Sequence, residues 1–396
     1  MKKFLTIATM FALAVGFVAC SGSDDGGSTP PANPKDDFVN RATSKSGLVL
    51  AATHHFLEVS ENAEPVVIKF AVFNNGQDVT SNASVYVLEG NSSKKLVDAK
   101  FTPEATGVYQ FWASYGVENT KADALLNITA VSDMPALPAD VNPASTNFFR
   151  RVLIAKATGV NCPNCPRATD GIHMFFDESD YADNAVLMGL NTYDTGDPLW
   201  SKAAETLTSQ AGLGASYPAI KLNFDNLVPT LGSADIARML NENIAAICAN
   251  PSETAIAVST SYNPETGAIS VAAKVKCDVP SKYKVTAALL QDNVFFPQQG
   301  ASKPEHNVHG SGVKAIAPTT GVGFALNNGD ETKAGGVYDF CCEFKASDLY
   351  SKGTGDYALN VLRDARVIVY VQAADKIVDN VVACGLNQKV GFAYNN

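Results

Sequence analysis

The chain has 396 residues, 46% of them hydrophobic and 18% charged, which is a globular composition with enough sequence for more than one core. Its formal net charge of −10 would repel a phosphate backbone, so a nucleic-acid partner is not expected. Beyond the N-terminus no apolar run reaches the length of a membrane-spanning helix.

The first 20 residues read as a lipoprotein signal. Lys2 and Lys3 are followed by an apolar stretch from Phe4 to Val18 and by Phe17-Val18-Ala19-Cys20, which has the form of a bacterial lipobox. Cys20 is therefore the expected lipidation site and first mature residue, and a membrane, reached through this lipid, is the expected partner. Residues 21–44, rich in Gly, Ser and Pro, form a polar tether suited to holding a folded body off the bilayer. Of the eight cysteines, Cys162, Cys165, Cys248, Cys277, Cys341, Cys342 and Cys384 remain after Cys20. Their number is odd and export favours oxidation, so at least one thiol stays free within the chain, and spacing leaves the pairing open.

Residues 45–132 carry short β-branched or aromatic runs, VVIKFAVF, SVYVLEG, GVYQFWASYG and ALLNITAV, separated by turns such as Asn74-Asn75-Gly76. This spacing predicts an immunoglobulin-like β-sandwich, with Tyr109 and Trp112 as core residues. Residues 133–146, with three prolines between Ser132 and Ser145, read as a linker.

The pattern changes in residues 147–250. Val152 to Ala157 is an apolar run broken once by Lys156 and ended by Thr158-Gly159, which predicts an interior strand; Cys162-Pro163-Asn164-Cys165 then leads into a helix carrying Ile172, Phe175 and Phe176 on one face. Pro166 fits the first turn of a helix that begins near Cys165, which leaves Cys162 with less of the helix dipole than a site at the helix end would feel. A second strand at Ala185 to Asn191, a helix from Pro198 to Gly212, Pro218 before a strand at Ala219 to Leu222, and a helix from Ser233 to Ala249 with Ser233 as its cap complete the order. Strand, C-x-x-C, helix is the thioredoxin-like redox signature, and Pro218 stands where that fold places a cis-proline opposite the cysteines. Residues 251–396 return to strands and predict a second β-sandwich, interrupted by a long polar loop from Phe296 to Lys314 that contains His306, Asn307 and His309. The expected fold class is thus multidomain, α/β plus all-β: a central thioredoxin-like domain between an N-terminal immunoglobulin-like sandwich and a C-terminal sandwich.

The lipobox, Thr158-Gly159, Cys162-Pro163-Asn164-Cys165-Pro166, the Gln298 to His309 region and the strand pair ending in Val381 to Asn387 together resemble a Bacteroidetes family of lipoproteins named after a 28-kilodalton outer membrane protein. The likeness spans about Phe148 to Phe392. It implies an outer-membrane lipoprotein on the periplasmic or cell-surface face, and Ser23-Asp24-Asp25 is similar to the signals that send such proteins outward. Members usually carry an acidic residue in the strand before Thr-Gly, where this chain has Lys156.

Two functions follow from these residues. In the first, a binding, adhesion or envelope-accessory protein takes an unknown protein or glycan ligand, with His306, Asn307 and His309 as weak binding candidates and the cysteine pair mainly structural. In the second, a thiol-disulfide oxidoreductase uses Cys162 as nucleophile and Cys165 as resolving thiol, with Pro218 shaping the substrate groove. No motif calls for a cofactor, and no metal site is expected: zinc held by Cys162, Cys165, His306 and His309 would need ligands far apart in sequence across a domain boundary.

Overall fold

The computed structural model describes residues 46–395 apart from 60–63, 91, 121–124 and 359. The signal, Cys20 and the tether lie outside the described residues. Among those described, no helix is long and apolar enough to cross a membrane. The architecture is mostly β, in several sheets.

In the N-terminal region the alternation of apolar and polar residues buries one face of each of two sheets. One sheet centres on Ile68–Asn74, paired antiparallel with Leu48–Ala52; the other centres on Gly107–Tyr115, between Ser84–Glu89 and Leu126–Val131. Ile68, Phe70 and Val72 from the first meet Val85, Val87, Phe111 and Ile128 from the second in one core, where the Phe70 and Phe111 rings lie 4.7 Å apart. Tyr109 and Trp112 are both half-buried, and Trp112 stacks on Tyr86 at 4.2 Å.

The central strand Val152–Thr158 is buried along nearly its whole length because it is flanked on both edges and covered on both faces. It pairs parallel with Ala185–Asn191 and antiparallel with Ala219–Leu222, which turns back into Asn226–Val228. On one face Val152 and Ile154 pack against Ile172 and Phe175 of helix Cys165–Glu178 and against Ile236, Leu240 and Ile244 of helix Ser233–Cys248. Full burial of each such side chain contributes about 1.5–3 kcal/mol. Ser233 is the first helical residue rather than the cap; Gly232 takes that place, and the Ser233 hydroxyl donates to the Arg167 carbonyl instead.

The expected boundary at residue 250 does not divide the sheets. Ala185–Asn191 is followed in the same nine-stranded sheet by Gly312–Ala317, Lys284–Gln291, Ala365–Gln372 and Val378–Gly385. The junction is a single parallel bridge between Gly189 and Gly312, closed by the Gly189 N–H donating to the Ser311 carbonyl at 2.6 Å. Two glycines meet there for a packing reason: a Cβ on Gly312 would come within 2.8 Å of Leu199 Cδ2, and one on Gly189 within 3.1 Å of the Gly310 carbonyl oxygen. Helix Lys202–Gln210, capped by the Ser201 hydroxyl, lies across the junction, so Leu207 shares a core with Leu153 and Met188 on one side and Ile368, Tyr370 and Val381 on the other. A four-stranded sheet, with Thr254–Tyr262 and Ala268–Cys277 at its centre, covers the opposite face of the C-terminal strands, burying Val258, Ile269 and Val271 against Val285, Leu289 and Val369.

The segment expected to be a linker has no helix or strand but is held along its length. Glu343 accepts from the Ser132 N–H and hydroxyl, and the buried Lys276 ammonium meets Asp140 at 3.2 Å and the Pro143 carbonyl, while Tyr394 donates to Asp140. Phe56 extends the contact, lying edge-on to Phe324 and Phe340 of the C-terminal half.

Candidate functional site

The strand Val152–Thr158 delivers the chain to the cysteine motif through a turn fixed by Asp197. That fully buried carboxylate accepts from the Val160 N–H at 2.9 Å, the Asn191 amide at 3.1 Å and the Leu199 N–H at 2.8 Å. Cys162 and Cys165 are joined in a disulfide with Cα atoms 5.4 Å apart. The helix begins at Cys165, with Pro166 in its first turn, so Cys162 sits ahead of the helix end. The Tyr217-Pro218 peptide is cis, and the strand that follows pairs Ala219 with Ala157 and Ile220 with Lys156.

Each cysteine of the pair is only 1% exposed. A loop from the C-terminal half packs against the turn that carries them. The Gln298 side-chain amide donates to the carbonyls of Val160 and Cys162 at 2.9 Å each, and the Gln299 N–H donates to the Val160 carbonyl at 2.7 Å. Gly300 then passes so close to Pro163 that a Cβ would lie 2.3 Å from its carbonyl oxygen, and its φ of +77° suits glycine as well. Further along the loop, Asp170 of the cysteine-bearing helix takes Lys303 at 3.3 Å and His306 Nε2 at 2.9 Å. Burial pushes the Asp170 carboxyl up, but hydrogen bonds from His306 and Lys303 outweigh it and hold the group below the ordinary carboxylate range. Because the Ser302 N–H donates to His306 Nδ1, Nε2 is the ring nitrogen that donates to Asp170.

His306, Asn307 and His309 therefore do not converge on an open binding surface. His306 is buried on Asp170, the Asn307 side-chain oxygen accepts from the Gln298 N–H at 2.9 Å, and His309 Nε2 donates to the Phe296 carbonyl at 2.9 Å. Burial lowers the His309 pKa, consistent with a neutral donor. The zinc alternative loses both thiolates to the disulfide, and among the described residues no group of three or more His, Cys, Asp and Glu side chains is placed to hold a metal ion. Cys248, Cys277, Cys341, Cys342 and Cys384 are free thiols, and burial raises the pKa of each, to about 12 for Cys277.

Lys156 lies beneath the cysteine-bearing helix, its ammonium 2.6 Å from the Thr169 hydroxyl, which in turn donates to the Cys165 carbonyl at 3.3 Å. Burial lowers its pKa to about 8, against about 10.5 in an unfolded chain. Between those values the unfolded state binds the extra proton, so the penalty for burying this lysine is full below about pH 8 and fades as pH rises towards 10.5. Lys156→Met should accordingly stabilise the protein at pH 7 by about 2 kcal/mol, allowing for the lost Thr169 hydrogen bond, and by progressively less through pH 10. Urea melts of both proteins across that range check this; a gain that does not shrink with pH would contradict the buried-charge account.

Asp170, Asp197 and Gln298 were not singled out as site residues by sequence patterns. Asp170 reads as the polar side of an amphipathic helix and Asp197 as a loop residue; the Gln298-Gln299-Gly300 run in an unusually long loop was the available signal.

These features define a β-rich protein in which a C-terminal loop is hydrogen-bonded to a strand-to-helix turn that carries a disulfide. No family model matches the sequence, and no curated protein does. Among solved structures the chain is similar to HBP35 of Porphyromonas gingivalis, with a TM-score of 0.50 and 17% identity over 64% of this chain and 80% of that one. It also aligns, with a TM-score of 0.36 and 12% identity, to a structural-genomics protein from Agrobacterium tumefaciens, covering 62% of this chain and 96% of that one. The first likeness shows a shared fold.

Proposed function

We propose that the chain is an outer-membrane lipoprotein of the 28-kilodalton type, acting as a binding, adhesion or envelope-accessory protein, in which the cysteine motif of a thioredoxin-like unit is structural. The observation that carries this reading is the 1% exposure of Cys162 and Cys165 beneath the Gln298 to Gly300 loop, since an exchanging disulfide must present a sulfur to an incoming thiolate. The thioredoxin-like assignment is supported by the strand order, one parallel neighbour at Ala185–Asn191 and an antiparallel hairpin opened by cis-Pro218. A fold neighbour from a Bacteroidetes organism supports the family. For the binding role, a polar cleft of about 430 Å³ beside Tyr217, lined by the hydroxyl-bearing Thr192, Thr206, Thr208 and Ser209, suits a hydrogen-bonding ligand such as a glycan or peptide. The oxidoreductase alternative keeps Cys162, Cys165 and Pro218 as its residues.

The reduction potential of the Cys162–Cys165 pair separates the two. A value below about −300 mV, typical of stable structural bridges, is expected; a value between about −270 and −120 mV would favour catalysis. Lipid anchoring has its own check. Cys20→Ala should abolish incorporation of labelled fatty acid and release the protein from the membrane fraction, and label retained by the variant would defeat the assignment.

A further inference from the structure

We propose that residues 296–307 form a latch that gates chemical access to the Cys162–Cys165 disulfide, so that the bridge is masked by an autoinhibitory contact in cis and not by burial in a core. This rests on the structural reading of the disulfide given above and adds what enforces it. The loop starts and ends in a two-strand clasp, Val294–Phe295 paired with Val308–His309, that belongs to none of the larger sheets. Beyond the clasp the loop touches the cysteine-bearing unit through two groups of polar contacts. One is the Gln298 fork on Val160 and Cys162 with the Gln299 N–H on Val160; the other is Asp170 with Lys303 and His306.

Several loop residues, Pro297, Gln299 and Ala301 to Glu305, are exposed, and His306 is its buried anchor. Such a segment, held by hydrogen bonds with little apolar burial, belongs to the low-stability end of a structure and can open without global unfolding. The cores nearest the site draw their residues from the sheet and helices, with none from 296–307, so opening leaves them intact.

Once the latch is open, an external thiolate can attack one sulfur of the pair. The Cys162–Cys165 bond breaks, a mixed disulfide forms, and the other cysteine leaves as a thiolate that takes a proton from solvent. A second thiolate then releases the oxidised external disulfide and the second cysteine thiol. Two external thiols are oxidised and one protein disulfide is reduced.

The test uses dithiothreitol as the reductant on the folded protein at neutral pH, with alkylation followed by peptide mass mapping to time the appearance of thiols at Cys162 and Cys165. Two latch variants are compared with the wild type: Gln298→Ala with Asp170→Ala, which removes the side-chain contacts of both groups and leaves only the Gln299 backbone bond, and Gly300→Val, whose side chain cannot fit against Pro163. Reduction about tenfold faster or more in both variants is expected, from the loss of several hydrogen bonds that hold the closed state. Cys277 and Cys342, buried in the C-terminal core, should remain protected from alkylation at the wild-type level, which separates latch opening from unfolding.

Unchanged reduction rates in the variants, or acceleration accompanied by labelling of Cys277 and Cys342, would overturn the latch. If instead the wild type is already reduced as fast as a small exposed disulfide, the structural reading of the bridge fails as well, and the wild-type rate alone reveals it.

Discussion

Cys162→Ser is expected to lower the stability of the protein by about 2 kcal/mol while leaving a negligible wild-type rate of insulin reduction unchanged. The chain-entropy contribution of a bridge scales with the loop it closes, and a separation of three residues closes one of the smallest. The loss also reflects what the bridge holds: the strand-to-helix turn that carries Val160 and Cys162, whose carbonyls receive the Gln298 fork. Thermal and urea melts measure the first effect and a turbidity assay the second. Substantial wild-type turnover, lost in the variant with no change in melting, would reverse the assignment in favour of the oxidoreductase.

The buried lysine sharpens that comparison. An ammonium near a cysteine pair favours thiolate, which is the direction a reactive site needs. In the folded chain Lys156 donates its hydrogen bond to Thr169, and its low pKa reflects desolvation. Asp197 and Gln298 both hydrogen-bond this turn, in line with the structural role proposed for the pair.

Local structure was legible where one segment holds its own signal. The strand Ala185–Asn191 falls where its apolar run places it, helix Cys165–Glu178 begins near Cys165 as Pro166 requires, and the peptide before Pro218 is cis. The capping of helix Ser233–Cys248 was misread because Ser is favoured both as a cap and in the first turn, and here Gly232 precedes it with extended backbone while the Ser233 hydroxyl finds Arg167. Long-range features were not legible. A single bridge between Gly189 and Gly312 joins strands that are 123 positions apart, and a glycine in an apolar run gives no sign of which backbone it will meet. The fate of His306 was hidden for the same reason: a histidine in a polar loop reads as available for a ligand until the partner, Asp170 on a distant helix, is known.

The second large effect is expected at Asp379, where the two sides of residue 250 are tied together. This carboxylate is 7% exposed and accepts from the Ser252 hydroxyl at 2.6 Å, the Thr254 N–H at 2.8 Å, the Thr254 hydroxyl at 2.6 Å and the Glu253 N–H at 3.2 Å. Arg150, at the entrance to the central strand, lies 3.3 Å away and donates as well to the Asn250 and Pro251 carbonyls. Strand Val378–Gly385 is thereby fastened to the start of strand Thr254–Tyr262 and to the beginning of the α/β region at once. Asp379→Ala would remove the carboxylate acceptor shared by two backbone N–H groups, two hydroxyls and the Arg150 guanidinium, and breaking a buried charge network by removing one partner costs about 3–5 kcal/mol. Because the nine-stranded sheet runs through this point, the loss should appear as one cooperative transition shifted to lower urea, with helix content and tertiary signals moving together. A shift worth less than about 1 kcal/mol, or a biphasic curve in which the residues before 250 melt apart from those after it, would show that the shared sheet does not bind the two parts into one folding unit.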